Sequence, residues 1–350
     1  MRILILANND VGLYQFRREL LEALIVQGNE VHVSLPAGQR VSAIEELGCH
    51  VHITEIERRG TNPIKDLALM SNYRKLIKKI CPAIVFTYTI KPNVYGGMAC
   101  AMMKVPYVAN ITGLGTAVEN GGIMQKITLA LYRLGLRKAQ KIFFQNTENR
   151  EFLLSRGVVK GAYDLLPGSG VNLQRYQTLP YPGGDTVDFV FIARIMKEKG
   201  IDQYLDAARY IREKYPQTRF HICGACEEAY EQALKDLHNN GTVIYHGQVS
   251  DMIAIHRICQ CTIHPTYYPE GLSNVLLESA ACGRPLITTN RSGCRRSLTK
   301  ASTASLCSRK IPRILLKRSK NSWRCLWKRG RLWALPAEQR SSGNLTAKSL

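Results

Sequence analysis

Four charged residues are spaced in a way that chemistry can use. Arg194 closes the apolar run Phe189–Ala193, and Lys199-Gly200 stands where a helical pattern opens. Strand ends in a parallel sheet face a crevice, and a helix start already favours anions, so two cations there suit a diphosphate. The plainer reading is two solvated loop charges. Glu270 and Glu278 lie eight residues apart, with Gly271 between them and Asn274 as a polar helix start. Eight residues is a little over two helical turns, so both carboxylates can share one face and grip vicinal hydroxyls. The plainer reading makes Glu278 a solvated helix residue.

The elements that must position these residues form two alternating series. Strands are expected at Arg2–Ala7, Glu30–Leu35, near Val51, at Ala83–Tyr88, near Tyr107 and near Ile142. Helices are expected between them at Leu13–Gln27, Ile64–Lys79, Pro92–Met103 and Ile123–Ala139. A Gly/Pro-rich stretch, Pro167 to Asp185, then separates a second series. It has strands at Phe189–Ala193, Arg219–Cys223, Val243–Tyr245, Cys261–His264 and Pro285–Thr288. Its helices are Ile201–Lys214, Glu227–His238, Met252–Ile258 and Leu272–Cys282. Short apolar runs alternating with amphipathic helices imply parallel sheets covered on both faces. The expected architecture is therefore α/β, two doubly wound domains in tandem, with a ligand cleft at the carboxyl ends of their strands. The divisions expected are 1–172, 173–295 and a tail, 296–350.

The motifs together carry a resemblance. Phe191-Ile-Ala-Arg-Ile-Met-Lys-Glu-Lys-Gly-Ile-Asp, followed by Pro269-Glu-Gly-Leu-Ser-Asn-Val-Leu-Leu-Glu, resembles the family-4 retaining glycosyltransferases of GT-B fold, whose markers are the E-x7-E element and the upstream R-x4-K pair. Leu6-Ala-Asn-Asn-Asp-Val-Gly-Leu-Tyr, Thr87-Tyr-Thr-Ile-Lys-Pro-Asn-Val-Tyr-Gly-Gly and Asn110-Ile-Thr-Gly-Leu-Gly-Thr are similar to a bacterial branch that builds capsule and other surface polysaccharides. The resemblance runs from Arg2 to about Arg295.

That resemblance implies a UDP-sugar donor, with N-acetylhexosamine as the sugar, and a lipid-linked saccharide acceptor. It implies that Arg194 and Lys199 hold the diphosphate and stabilise the charge that develops as it leaves. Glu270, with the amides of Gly271, Leu272 and Ser273, would contact the transferred sugar, and Glu278 the ribose. His246-Gly247 would lie near the base, and Gly12 would admit the donor phosphates in the first βα loop. No cofactor or metal is implied, because Arg and Lys take the metal's place. Many relatives have His where Thr112 precedes Gly113, so acceptor contacts differ there. A UDP-sugar 2-epimerase of the same fold and an inactive pseudoenzyme are the alternatives.

Composition bounds the rest. Apolar residues make up 45% of the 350 and charged residues 21%, a globular balance. No apolar run reaches the roughly 20 residues of a membrane helix, and Asn8-Asn9-Asp10 ends the first run too early for a signal peptide. A cytoplasmic enzyme is expected, at the inner face of the cytoplasmic membrane. Asn72–Lys79 and Lys126–Lys141 mix Lys/Arg with apolar residues and would suit anionic lipid. Cys223 and Cys226 form a lone C-x-x-C without a zinc partner pair, so free buried thiols are expected.

The net charge of +21 suggests nucleic acid, but its distribution does not. Residues 295–350 hold 15 Lys+Arg against one acid, Glu338, and all three Trp (Trp323, Trp327, Trp333). The first 294 residues hold 33 basic and 26 acidic side chains, and no groove-reading motif. Back-translation with a one-base shift lets Leu298–Leu306 read D-E-G-I-N-G-F-L, the turn expected after Gly293-Cys294-Arg295. The tail thus reads as out-of-frame translation of a missing last strand and closing helix. Its loss would leave an inner strand as an unpaired edge, with poor stability and weak activity.

Overall fold

The computed structural model describes residues 1–57, 60, 62–115, 118, 121–166, 168–295, 297 and 304–307. Pro167, the three Trp and most of the tail lie outside them. The chain forms two units, Met1–Ser169 with Pro269–Leu272, and Gly170–Tyr268 with the residues from Ser273 onward.

The first unit runs β1 (Arg2–Leu6), α1 (Asp10–Val26), β2 (Glu30–Leu35), α2 (Val41–Glu46), β3 (His50–Ile53), α3 (Pro63–Ile80) and β4 (Ile84–Tyr88). A π-turn at Pro92–Gly96 leads into α4 (Gly97–Met103), then β5 (Tyr107–Ile111), α5 (Gly122–Leu136), β6 (Lys141–Phe144), α6 (Thr147–Ser155) and β7 (Tyr163–Leu165). The sheet is parallel, in order β3-β2-β1-β4-β5-β6-β7. Its central strand shows why an unbroken apolar run is needed. Leu4 and Leu6 pack into one core with Tyr73, Val94 and Tyr132, while Ile3 and Ile5 pack into another with Leu13, Leu21 and Val33.

Polar residues inside this unit are fastenings. Thr87 Oγ1 donates to Asn93 Oδ1 at 2.6 Å, and Asn93 Nδ2 donates to the Asn110 carbonyl at 2.9 Å, tying β4, the π-turn and β5 together. A Cβ on Gly135 would stand 2.5 Å from Val94 Cα, so α5 and the π-turn touch backbone to backbone. The motif residues Thr87, Asn93 and Asn110 are thus scaffold.

The second unit runs β8 (Val187–Ile192), a 3₁₀ turn at Lys197–Lys199, α7 (Ile201–Lys214), β9 (Thr218–Cys223), α8 (Glu231–Asn239) and β10 (Ile244–Tyr245). It continues through α9 (Met252–Ile258), β11 (Cys261–His264), α10 (Asn274–Ala281), β12 (Leu286–Thr289), α11 (Ser292–Arg295) and β13 (Ala304–Cys307). The order is β10-β9-β8-β11-β12-β13, all parallel. Phe189 and Phe191 of β8 face one core, Val190 and Ile192 the other.

Three expectations are corrected. β12 is not an edge, because β13 pairs with it from Leu286↔Ala304 to Thr289↔Cys307, so residues beyond Arg295 supply the strand expected to be missing. The helix expected from Leu272 begins at Asn274, so Glu270 precedes it by four residues and Glu278 stands one turn into it. The two carboxylates therefore do not share a helical face. Gly12 lies in the first turn of α1, not in the preceding loop, and its amide is taken by the side chain of the capping residue Asn9.

Candidate active site

In an open parallel sheet, ligands bind where the strand order reverses. In the second unit that point lies between β8 and β11, and the loops leaving both strands are tied together. Tyr267 N donates to the Glu198 carbonyl at 2.9 Å. Gly200 adopts φ 84°, and a Cβ there would come within 2.3 Å of the Pro265 carbonyl oxygen, which only glycine tolerates.

These ties place the two cations. The Arg194 guanidinium lies 5.5 Å from the Tyr268 ring centroid and Lys199 Nζ 4.8 Å from it, so one aromatic ring contacts both. Glu227 Oε2 accepts from Arg194 Nη1 at 2.6 Å. Burial disfavours the Arg194 charge, but Glu227 and Tyr268 outweigh it. Lys199 is buried, while Arg194 keeps a third of its side chain exposed. The pair predicted from sequence is thus brought together. Tyr268 and Glu227, which orient it, were missed. An aromatic immediately before Pro269-Glu270 was the one available clue to Tyr268.

Glu278 lies on α10 of the same unit. Burial pushes its carboxyl up to about 7, against the pull of Arg175 and a hydrogen bond with Tyr176. A carboxyl held there loses its proton readily when hydroxyl donors arrive. Ser273, expected to offer a free amide, donates instead to the Gly293 carbonyl at 3.2 Å, and its Oγ meets His264 Nε2 at 3.1 Å.

Pro269–Leu272 packs with the first unit. Asn146 Nδ2 donates to the carbonyls of Glu270 and Gly271 at 3.2 and 3.1 Å, while its Oδ1 caps α6. Gln145 donates to the Thr112 carbonyl at 3.2 Å and accepts from Arg17 Nη2 at 3.1 Å. Thr112, Gly113, Glu270, Gly271 and Leu272 thus belong to one loop cluster at the carboxyl ends of β5 and β6. Asn146 was missed because its partners lie over 120 residues away.

His246-Gly247 follows β10. The Gly247 carbonyl accepts from Gly224 N at 2.7 Å, which fixes the loop against the end of β9. Among the described residues no group of three metal-ligating side chains occurs, and no helix is long and apolar enough to cross a membrane. Cys223 is a free, buried thiol and Cys226 a free, half-buried one, and burial pushes the Cys223 thiol up to about 12, which makes it inert at neutral pH.

The chain is similar to known proteins over both units. The family described as glycosyl transferase 4-like matches residues 2–146, and glycosyl transferases group 1 matches residues 182–318. The second match extends past Arg295, further than the resemblance read from the motifs. A Campylobacter jejuni N,N'-diacetylbacillosaminyl-diphospho-undecaprenol alpha-1,3-N-acetylgalactosaminyltransferase is 25% identical over 86% of this chain and 84% of its own. The Staphylococcus aureus capsular polysaccharide biosynthesis glycosyltransferase CapM is 25% identical over 79% of this chain and 76% of its own. Anabaena Alr3699/HepE, solved in complex with UDP and glucose, superposes with TM-score 0.77 at 15% identity, over 100% of this chain and 96% of that one. The chain belongs to the family-4 glycosyltransferases of GT-B fold, and it is a hexosyltransferase-type enzyme.

Proposed function

We propose that the protein moves an N-acetylhexosamine from its UDP-linked donor to an undecaprenyl-diphosphate-linked saccharide, with retention at the anomeric carbon, in building a surface polysaccharide. The observation that carries this reading is the Arg194–Lys199 pair gathered on Tyr268 at the strand-order reversal. Two fixed cations there bind the diphosphate and stabilise it as the leaving group, so the transition state gains more than the ground state. Glu278 takes ribose hydroxyls and Glu270 those of the transferred sugar, while Thr112-Gly113 lies on the acceptor side. The C. jejuni relative, whose acceptor is undecaprenol-linked, supports the lipid-linked acceptor.

A lipid-linked acceptor calls for work at the inner face of the cytoplasmic membrane. Ile123, Met124, Ile127 and Leu134 are exposed on α5, which also carries Lys126 and Arg133 and no acid, an arrangement suited to anionic lipid. The reaction is tested by supplying UDP-N-acetylhexosamine with and without the lipid-linked acceptor and reading the new anomeric linkage by NMR. Acceptor-dependent UDP release with an α-linked product is expected. Acceptor-independent release with a changed sugar would instead favour the epimerase.

We infer too that residues after Arg295 are read out of frame. The shifted reading of Leu298–Leu306 overlaps β13 over Ala304–Leu306. Resequencing the gene should restore a charge-balanced helix after it. Stops in the shifted frame would refute this.

A further inference from the structure

The second unit contains a side-chain chain that the reaction as proposed does not use. Asp188 of β8 is fully buried, and Arg219 straddles it, Nε to Oδ1 at 2.6 Å and Nη2 to Oδ2 at 2.9 Å. His221 of β9, also buried, places Nε2 2.7 Å from Asp188 Oδ1. Its other nitrogen, Nδ1, lies 2.9 Å from His246 Nε2, and the two rings are parallel to within 7°. Strands β8 and β9 and the loop after β10 are thus linked through the two imidazole rings in series.

Hydrogen-bond bookkeeping sets the protons. The Asp188 carboxylate can only accept, so His221 must carry its proton on Nε2. Arg219 already pairs with Asp188, so a single proton on Nε2 satisfies the bond to the carboxylate and leaves Nδ1 of His221 as the acceptor facing His246. His246 must then donate from Nε2, which leaves its outward nitrogen, Nδ1, as an acceptor. His246 is exposed as a residue, but partial desolvation of its ring, and secondarily the neighbouring histidines, hold it below its ordinary pKa, so the acceptor form dominates at neutral pH.

We propose that the Asp188–His221–His246 chain presents His246 Nδ1 as a fixed acceptor that selects a pyrimidine base with an imide N–H, as in uracil, over cytosine, whose N3 is itself an acceptor. Two facing acceptors repel and leave both unsatisfied, the condition under which polar sites discriminate most strongly. This rests on the donor nucleotide lying at the carboxyl end of the second sheet. His246 would touch the base, while Asp188 and His221 are positioning residues that act through it.

The test is calorimetric titration of the full chain with UDP and with CDP, joined to the ¹⁵N shifts of the His246 ring. UDP is expected to bind about tenfold or more tighter than CDP, about 1.4 kcal/mol, with His246 protonated on Nε2. His246→Gln, an exposed change whose amide can turn either way, should bind both with near-equal affinity. Asp188→Asn should narrow the preference with His246 intact. Equal binding of UDP and CDP by the unaltered protein, an Nδ1-protonated His246, or full preference retained in His246→Gln would each overturn the proposal and leave the donor site standing. Failure of both nucleotides to bind would overturn the donor reading and this inference together.

Discussion

The first unit holds a second histidine chain, and the contrast with that of the second unit is instructive. Glu30 Oε1 meets His32 Nε2 at 2.9 Å, and His32 Nδ1 meets His52 Nε2 at 3.0 Å, with the same nitrogens in the same order. The acid differs, since the Glu30 side chain is 49% exposed where Asp188 is 2%. The outlet differs as well. His52 stands within edge strand β3, whereas His246 stands in a loop just beyond the carboxyl end of β10. An identical bonding pattern therefore has chemical meaning only where a buried acid fixes it and a strand end delivers it. The same contrast holds for the cations. Lys91 is spent on Asp66 at 2.5 Å, which also accepts from Tyr95 at 2.8 Å, while Arg194 and Lys199 converge on a ring at the strand-order reversal.

The contrast predicts which unit fails in which way. Asp66→Ala strands Lys91 in the interior of the first unit and should cost about 3–5 kcal/mol. A denaturant melt would show it, and nucleotide affinity per folded molecule should not change. Arg194→Ala should do the reverse, lowering kcat by about 10²–10³-fold with the melt unmoved, as UDP release measures. Equal damage to stability by both would erase the distinction between fastening and chemistry.

Glu278 gives a smaller, pH-graded effect. Its carboxyl sits at about 7 in the folded protein, above its unfolded value, so folding favours the proton and ribose binding favours its loss. UDP affinity should therefore rise with pH and level off above about 7, weakening by up to about tenfold per unit below it. Titrations from acid to mildly alkaline pH should lose that slope in Glu278→Gln. The smallest effect is the control for the two chains. His52→Gln should leave the UDP-to-CDP preference unchanged, and a shift there would mean the edge-strand chain also reaches the base.

Much of the scaffold was legible because its rule is local. β1, β2, α3 and β11 announce themselves by apolar period and turn residues alone. The segments α2, α6 and β7 did not, being short and polar, as in Thr147-Glu-Asn-Arg. That Arg194 and Lys199 come together was legible through motif spacing and strand ends. Tyr268, Asn146 and the Asp188–His221 bond were not, since they depend on strand register, here Val190 opposite His221, and on loops that meet only in the fold. The tail misled because Ala304–Cys307 pairs through its backbone, which a basic composition does not forbid.

The central claim is that Arg194 and Lys199, in the second unit, hold the donor diphosphate. Calorimetric binding of UDP to the unaltered protein and to the Arg194→Ala/Lys199→Ala double variant tests it most directly. Binding should be lost in the double variant, by at least about 100-fold, while the melt stays cooperative at the same midpoint. UDP binding that survives both substitutions with unchanged affinity would contradict the account.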